Sequence, residues 1–273
     1  MKLNFKRSLA YNLIKLLNIS ELIRRLYPLA MDIKFEKISQ IQLLEIMNLI
    51  KVNKHESYEL VRLGSVYDGG YLVIDDFSMR DVLVSLGIGD NAEFECKISN
   101  KIERVIAFDH TIDAMPEITN NIKFNKLGVK AKEEDNFVTL SSIIGNIPTK
   151  NDLLLKIDIE GWEWEVLNSI SETEICRFRQ IIGEFHGFNN AINLEKINQV
   201  LSKILRNFII VNSHANNWGQ YEIIKRLPVP DVIEITFIRK DSYVCSSNTD
   251  EYQPQKFNSK NNPSDLDLGF NLL

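Results

Sequence analysis

The sequence predicts an α/β protein built on a Rossmann-like sheet of seven strands, six parallel and one antiparallel, with a helical extension at its N-terminus. From Val82 onward, short apolar runs alternate with amphipathic stretches, which is typical of repeated β-α units. The stretch before the last run contains no amphipathic helix, and a strand that returns without a long crossover is antiparallel. Residues 1–55 differ, because their apolar side chains recur at helical spacing.

Seven short apolar runs are the predicted strands. They cover residues 82–86, 104–108, 122–129, 153–158, 180–185, 208–211 and 232–238, of which the third is the weakest. The helical candidates between them cover residues 92–102, 162–170 and 194–205. The expected organisation is a helical extension (1–55), one α/β domain (56–240) and a polar tail (241–273) that lies over the surface or is partly mobile.

Composition limits the class of protein. The chain has 273 residues, a formal net charge of -5 and a hydrophobic fraction of 44%, which suits a globular protein with one large domain. An acidic balance argues against a general nucleic-acid partner. The three cysteines form no CxxC pair, which favours free thiols in a reducing compartment, and no apolar run is long enough for a membrane span. We therefore expect a cytoplasmic protein.

The N-terminal segment 1–29 is basic and amphipathic. Its apolar stretches are broken by charges and no cleavage site follows, so a secretory signal is not expected. Such a helix is most simply explained by docking on the protein's own core. The alternative is a peripheral contact with the inner face of the membrane.

A glycine-rich loop follows the first predicted strand and opens a helix. Gly87 and Gly89 allow a sharp turn and close approach of a ligand, while Asp90 or Asn91 can cap the helix. Asp109 ends the second strand, where a carboxylate accepts hydrogen bonds from ribose hydroxyls. This pattern predicts a nucleoside cofactor, and at this point an NAD(P)-dependent oxidoreductase remains open.

Charged residues end the fourth strand. Strand alternation places Lys156, Asp158 and Glu160 on one face, with Ile157 and Ile159 on the other. Three charges at the carboxyl end of a central strand are costly to bury unless they are paired or used. The structural alternative is an ion pair followed by a glutamate that caps the next helix.

Neighbouring strands end in similar side chains. Glu184 and His186 alternate onto one face of the fifth strand, and His214 follows the sixth. Carboxylates beside histidines at strand ends favour proton-transfer chemistry. The set formed by these three residues and Asp158 could also bind a divalent metal, but its spacing has no compact ligand signature, so no metal ligand is assigned.

Residues 156–163 read Lys-Ile-Asp-Ile-Glu-Gly-Trp-Glu, and with this string the chain resembles the FkbM-like family of S-adenosylmethionine-dependent methyltransferases. Three further stretches are similar to one branch of that family. They are residues 62–71, with the turn Asp68-Gly69-Gly70-Tyr71, residues 214–218 and residues 230–236. The resemblance spans about residues 60–240.

The resemblance implies a class I methyltransferase sheet, S-adenosyl-L-methionine as cofactor and O-methylation, with a sugar or glycan as the typical acceptor. We hypothesise that Asp158 lies near the methyl group. His186 or His214 would accept the hydroxyl proton, oriented by Glu184 or Glu160. High Ile, Lys and Asn use suggests an A+T-rich microbial genome, which together with a membrane-facing N-terminal helix favours a bacterial surface-glycan pathway.

The turn Asp68-Gly69-Gly70 would fold over the cofactor pocket, although a plain β-turn explains this composition equally well. Two other functions stay open beside the oxidoreductase. One is a glycan-binding domain with a decayed donor site, and the other is a metal-dependent hydrolase.

Overall fold

The computed structural model describes residues 40–53, 59–117, 119–190, 192–224, 227–243 and 258–265. The prediction of membrane contact through residues 1–29 lies outside these ranges. Of the predicted helical extension, the described part contains one helix, Gln40–Leu49. Within the described ranges, no helix combines the length and the apolar character needed to cross a bilayer.

Helices and strands follow one another along the described chain in a mostly alternating order. In sequence they are α1 (Gln40–Leu49), β1 (Leu60–Gly64), β2 (Gly70–Ile74), β3 (Asp81–Leu86), α2 (Glu93–Ser99), β4 (Arg104–Phe108), β5 (Ile122–Asn125), β6 (Gly128–Lys130), β7 (Phe137–Thr139), α3 (Leu140–Gly145), β8 (Asp152–Ile157), α4 (Glu163–Ser169), α5 (Glu172–Ile175), β9 (Phe178–Phe185), α6 (Leu194–Ile204), β10 (Phe208–Ala215), β11 (Tyr221–Ile224), β12 (Leu227–Pro230) and β13 (Ile233–Arg239).

A seven-stranded sheet forms the centre of the fold, in the order β10-β13-β9-β8-β3-β4-β5. Strand β13 runs antiparallel to both of its neighbours. The pairs β3–β4, β3–β8, β4–β5 and β8–β9 are all parallel. Strand β10 runs in the same direction as these strands, because it is antiparallel to β13. The predicted sheet of six parallel strands and one antiparallel strand is confirmed.

Strand β3 shows why the sheet is covered on both faces. Its six residues are all buried. Val82 and Val84 pack into the larger core cluster, which includes side chains of α1, α4 and α6. Leu83 packs on the other face, with side chains of β2 and α2. A strand that is apolar on both faces is typical of a parallel sheet covered by two layers.

The prediction of one strand over residues 122–129 is wrong. Strand β5 ends at Asn125, a turn follows in which Leu127 N donates to Asn125 O at 2.8 Å, and β6 starts at Gly128. Strand β6 leaves the central sheet and pairs in parallel with β7. The physical reason is that β5 is the edge strand, so its side chains are only partly buried and its hydrophobic pattern is weak.

Two hairpins were not predicted from the sequence. Strands β1 and β2 pair antiparallel. Strands β11 and β12, which follow β10 and precede β13 along the chain, form a second antiparallel pair outside the central sheet. The first hairpin is tied to the central sheet by Thr236 Oγ1, which donates to Leu72 O at 2.6 Å. Gln180 on β9 adds a second tie, because its side chain pairs with both N–H and C=O of Ile74. The hairpin turn therefore lies next to the ends of the sheet strands.

The described part of the C-terminal tail returns to the domain. Asn261 is 1% exposed and Asn262 is 4% exposed. The Asn261 amide donates to Glu234 Oε1 at 2.5 Å, and Asn262 exchanges hydrogen bonds with Asn217. Residues 258–265 thus pack against the α/β domain through buried amide groups.

Candidate active site

A cavity of about 490 Å³ opens at the carboxyl ends of β3, β4, β8 and β9. It is lined by residues 87–91 after β3, residues 109–111 after β4 and residues 158–160 after β8. Ligands of open α/β sheets bind at this edge, where the loops that follow the parallel strands meet. The volume is in the range of small-molecule and cofactor sites.

The loop after β3, residues 87–91, is called the donor loop below. Gly87 and Gly89 have φ angles of 80° and 63°, a region that favours glycine. A Cβ atom on Gly87 would lie 1.7 Å from the Asp158 carbonyl oxygen, so this position must be glycine for the loop to pass β8. A Cβ atom on Gly89 would meet nothing within 4 Å. The space above Gly89 is therefore free for a ligand, which fits a nucleoside held against the loop.

Asp109 lies beside the donor loop, as predicted. Its Oδ2 accepts hydrogen bonds from the backbone of Ile88 and Gly89 at 2.8 and 2.9 Å, and its Oδ1 accepts from the backbone and hydroxyl of Thr111. Burial raises the pKa of Asp109, but these hydrogen bonds outweigh it and lower the pKa to about 2. The carboxylate of Asp109 therefore holds the donor loop in place. Its role as the acceptor for ribose hydroxyls stays a prediction, and a hydroxyl would have to replace one of these four hydrogen bonds.

The other end of the donor loop contacts the hairpin turn. Asn91 Oδ1 accepts from Glu93 N at 3.0 Å in the first turn of α2, and its amide donates to Asp68 O at 3.2 Å. Asp90 lines the cavity and makes no cap. The prediction that Asp90 or Asn91 caps this helix is wrong, because the N-cap residue is Ala92, which makes no side-chain cap, and Asn91 instead bonds Glu93 N from one residue earlier.

The turn 65–69 joins β1 to β2 and also reaches the cavity. Asp68 and Gly69 line the cavity, and Gly69 has a φ of 77°. Gly70 starts β2 and does not line the cavity; a Cβ atom there would lie 1.9 Å from Ser65 O. The segment is a hairpin turn that closes one side of the cavity through Asp68 and Gly69, and their contact with the cofactor stays a prediction.

Asp158 is held by two neighbours. Tyr71 Oη donates to Asp158 Oδ2 at 3.1 Å, and Lys156 Nζ lies 3.7 Å from the same oxygen. Lys156 also donates to Gly87 O in the donor loop. The predicted ion pair exists, and it connects the charged end of β8 to the loop that would hold the cofactor.

The predicted strand alternation stops at Ile157, where β8 ends. Glu160 has a φ of 54°, so the chain turns away after Asp158. The expectation that Ile159 takes the opposite face is wrong, because Ile159 lines the cavity together with Glu160. The Glu160 side chain is 88% exposed and lies at the cavity mouth.

Asp158, Glu184 and His186 form one cluster, called the acid–histidine group below. One ligand atom from each side chain lies within 4.8 Å of the other two. Glu184 Oε2 accepts from the Asn216 amide at 2.8 Å. His186 Nδ1 lies 3.2 Å from Glu163 Oε1. The structure thus brings together three of the residues that the sequence proposed for chemistry.

Burial and charge set the protonation of this group. Burial raises the pKa of Glu184 well above its ordinary value, and the carboxylates of Asp158 and Glu234 add to this effect. Burial lowers the pKa of His186, but its hydrogen bond to Glu163 and the nearby carboxylates outweigh this and raise it to about 9. His186 is therefore an imidazolium at neutral pH in this arrangement.

His214 lies apart from the cavity. It is 2% exposed on β10, where it is in register with Glu234 on β13, and Glu234 is in turn opposite Glu184. One strand therefore separates His214 from the acid–histidine group, and His214 is not among the cavity-lining residues. Its role as a base stays a prediction.

Three site residues were not assigned from the sequence. Glu163 is fully buried and accepts from the backbone of Ile159 and Gly161 as well as facing His186, and these bonds lower its pKa although burial raises it. Tyr71 orients Asp158. Glu95 lines the cavity and accepts from Ser85 Oγ. Glu163 ends the string that carries the family resemblance, which was the available signal for it.

The sequence around this site matches one protein family. The model of the FkbM methyltransferase domain matches residues 78–216, just over half of the chain, and this range contains both the donor loop and the acid–histidine group. No protein of curated function matches the sequence.

Solved structures with a similar arrangement are distant in sequence. The protein SMU.1697c from Streptococcus mutans, in complex with SAH, is 10% identical, with 75% of this chain and 99% of that chain covered and a TM-score of 0.34. An rRNA methylase from Streptococcus thermophilus is 9% identical, with 76% and 99% covered and a TM-score of 0.36. The N-methyltransferase NodS from Bradyrhizobium japonicum is 10% identical, with 73% and 95% covered and a TM-score of 0.34.

The family match covers the donor loop, the ends of β8 and β9 and the charged string 156–163. The chemistry of these residues had already indicated a site, without reference to the match. The chain therefore belongs to the FkbM family of S-adenosylmethionine-dependent methyltransferases.

Proposed function

We propose that this protein transfers the methyl group to a hydroxyl oxygen, and that the acceptor is a sugar in a bacterial surface glycan or a related metabolite. The observation that carries the proposal is the position of the acid–histidine group directly beside the donor loop. Asp158 N donates to the carbonyl of Leu86, the last residue of β3, at 2.9 Å, directly before that loop. A group suited to removing a proton thus lies next to the place where the donor is held.

The chemistry explains why a hydroxyl acceptor fits this arrangement. The cofactor supplies a methyl group on a sulfonium, which is a good leaving group, so the protein has to align the acceptor and remove its proton. A neutral amine already offers a lone pair, whereas a sugar hydroxyl is a poor nucleophile until its proton is drawn away. The half-buried Asp158 and the buried Glu184 of the acid–histidine group supply that function.

The cavity mouth supports a sugar as acceptor. Trp162 lines the cavity with 47% of its surface exposed, and Lys130 Nζ lies 5.0 Å from the centre of its ring. An aromatic ring beside charged and hydrogen-bonding side chains matches a ligand with apolar and polar faces. Carboxylates of Asp158 and Glu160 provide acceptors for hydroxyl groups at the same opening.

The proton acceptor is assigned to the acid–histidine group as a unit. Neither histidine is among the cavity-lining residues, and His214 is the weaker of the two predicted bases because only His186 belongs to the acid–histidine group. His186 carries a proton at neutral pH, so it serves as a base only after that proton is displaced. Asp158 and Glu184 face the cavity themselves.

An acceptor screen with methyl-labelled S-adenosylmethionine tests the proposal. We expect label on a sugar oxygen, identified by mass spectrometry and NMR, when free, nucleotide-linked and lipid-linked glycans are offered. Asp158→Asn should lower kcat by about 10²- to 10⁴-fold. Glu195→Gln, which removes a carboxylate from the exposed face of α6, is the matched control and should leave kcat unchanged. Label on nitrogen or carbon would overturn the proposal.

A further inference from the structure

We propose that the acid–histidine group binds a divalent cation of the Mg²⁺ and Mn²⁺ class, with Asp158, Glu184 and His186 as its protein ligands. Cation binding follows from the geometry of the three side chains. The assigned role of the cation, which is to hold the acceptor hydroxyl, rests on the function proposed above.

The ligand atoms are close enough for one ion. They lie within 4.8 Å of one another, and ligand atoms about 2.1 Å from an octahedral ion lie about 3 to 4 Å apart. Small side-chain rotations close that difference. Two carboxylate oxygens and one imidazole nitrogen suit Mn²⁺ and are compatible with Mg²⁺. Three protein ligands would leave positions for water and for an acceptor oxygen.

Each ligand has its own orienting partner. Tyr71 Oη donates to Asp158, the Asn216 amide donates to Glu184 Oε2, and Glu163 faces His186 Nδ1 at 3.2 Å. A carboxylate on one ring nitrogen leaves the other, Nε2, to bind an ion, an arrangement that recurs around metal-binding histidines. In the structure Nε2 lies 3.5 Å from the exposed carboxylate of Glu160, which an ion would displace. Glu163 is itself fixed by two backbone N–H groups. A cluster that served only to balance charge would not need three separate supports.

Glu184 offers a free ligand position. The residue is 7% exposed and lines the cavity. Its Oε2 is bonded to Asn216, while Oε1 accepts no hydrogen bond from the described residues. A carboxylate oxygen at the cavity that accepts no hydrogen bond from the described protein groups is available to a cation.

The surrounding charge favours a cation. Asp68, Asp158 and Glu234 all lie close enough to Glu184 to repel charge on its carboxyl group, and Lys156 opposes them. Lys156 is already shared between Asp158 and the Gly87 carbonyl. The cavity floor therefore holds more acidic than basic groups, and an added divalent ion would reduce the excess.

The proposed step is balanced without any further reactant. The acceptor oxygen would coordinate the cation, which lowers the pKa of the hydroxyl, and its proton passes to the carboxylate oxygen of Asp158 that does not bind the cation and from there to solvent water. The oxygen lone pair forms the new O–C bond with the methyl group. The C–S bond breaks, and its electron pair stays on sulfur, which changes from a sulfonium to a neutral thioether.

Binding of Mn²⁺ to the chelator-treated full chain, followed by calorimetry and by electron paramagnetic resonance, tests the site. We expect one Mn²⁺ per chain, with affinity at least tenfold weaker in Glu184→Gln and in His186→Gln. Glu195→Gln, which makes the same charge change on the surface, should bind Mn²⁺ as the wild type does. Glu163→Gln should give an intermediate loss, since it affects only the orientation of His186.

Separate titration with S-adenosylhomocysteine shows that each variant is folded, because the donor loop is unchanged. Equal Mn²⁺ affinity in the wild type and Glu184→Gln, or no binding to the wild type, would overturn the metal site. Methyl transfer to a hydroxyl that continues in excess chelator would also overturn it while leaving the proposed function intact. Mn²⁺ binding without any methylated hydroxyl would instead count against the proposed function alone.

Discussion

At the scale of single residues, the site depends on a close contact between two backbones. Gly87 lies against the carbonyl oxygen of Asp158, so the donor loop and the end of β8 meet with no room for a side chain. The same contact places the acid–histidine group beside the donor loop. A single methyl group at residue 87 would therefore disturb both halves of the site.

Gly87→Ala is expected to lower the free energy of unfolding by at least about 1–3 kcal/mol, because alanine is strained at positive φ and its Cβ overlaps Asp158 O. Denaturant unfolding measures this loss. The control is Gly145→Ala at the end of α3, where a Cβ atom would meet nothing within 4 Å and φ is not positive. Equal stability of the two variants would contradict the backbone contact.

Asp109 gives a pH-dependent prediction. Its pKa is about 2 in the folded protein against an ordinary value of 3.8, so the carboxylate stabilises the fold above pH 3.8 and this stability is lost as the pH falls through 2. Asp109→Asn should therefore lower the unfolding free energy by about 1–2 kcal/mol at neutral pH, and the difference should shrink between pH 3.8 and 2.

Urea unfolding at a series of pH values measures this difference. The exposed Asp135→Asn makes the same charge change outside the site and should show no such loss at neutral pH. A difference between wild type and Asp109→Asn that stays constant down to pH 2 would show that the hydrogen-bonded carboxylate is not its cause.

At the scale of elements, the hairpin β1–β2 is held on the sheet by few polar contacts. Gln180 is 0% exposed and pairs with both backbone groups of Ile74 and with Asp76. The hairpin supplies Tyr71, which orients Asp158, and Asp68, which lines the cavity. The position of one buried side chain on β9 thus affects the site.

Gln180→Leu leaves the N–H of Ile74 buried without its partner, which costs about 1–3 kcal/mol. The C=O of Ile74 loses one of its two hydrogen bonds and keeps the one from Asp76 N at 3.0 Å. We expect reduced stability in thermal unfolding and weaker binding of S-adenosylhomocysteine. Gln199→Leu on the exposed face of α6 is the matched control and should change neither. Unchanged affinity of Gln180→Leu for S-adenosylhomocysteine would show that the position of the hairpin does not affect the site.

The central strands were predictable because their local pattern agrees with their final environment. Residues 153–155 and Ile157 are apolar and buried whichever way they face, so the sequence marks them without knowledge of the fold. Strand β2 is as fully buried, yet its run is only Gly70–Ile74 and its burial depends on distant partners on β9 and β13. Such long-range packing has no local signature, which is why the hairpin was missed.

The same limit applies to the site. Asp158 and Glu184 were predicted together because they end adjacent parallel strands. His214 was grouped with them, but β13 is inserted between β9 and β10 and moves it one strand further away. The order of strands in a sheet is decided by tertiary packing, so side chains at equivalent strand ends need not be neighbours.

At the scale of the whole molecule, the C-terminal segment completes the floor of the site. Asn261 bonds Glu234 and lies 3.4 Å from Asp68 Oδ1. Glu234 is 2% exposed, and burial raises its pKa to about 7. A segment distant in sequence thus stabilises the carboxylates beneath the cavity.

A chain that ends at Tyr243 should therefore lose about 1–3 kcal/mol of unfolding free energy, because Glu234 and Asn217 lose buried hydrogen-bond partners. A chain that ends at Asp265 keeps both contacts and is the control. Equal unfolding curves for the two chains would contradict the role of residues 258–265.

Calorimetric titration of the full chain with S-adenosylhomocysteine, with NAD as the competing ligand, tests the central claim most directly. We predict one S-adenosylhomocysteine per chain, no measurable NAD binding, and at least tenfold weaker binding in Gly89→Ala, whose Cβ enters the open space above the donor loop. Tighter binding of NAD, or S-adenosylhomocysteine binding that Gly89→Ala leaves unchanged, would contradict the assignment of this cavity as the methyl-donor site.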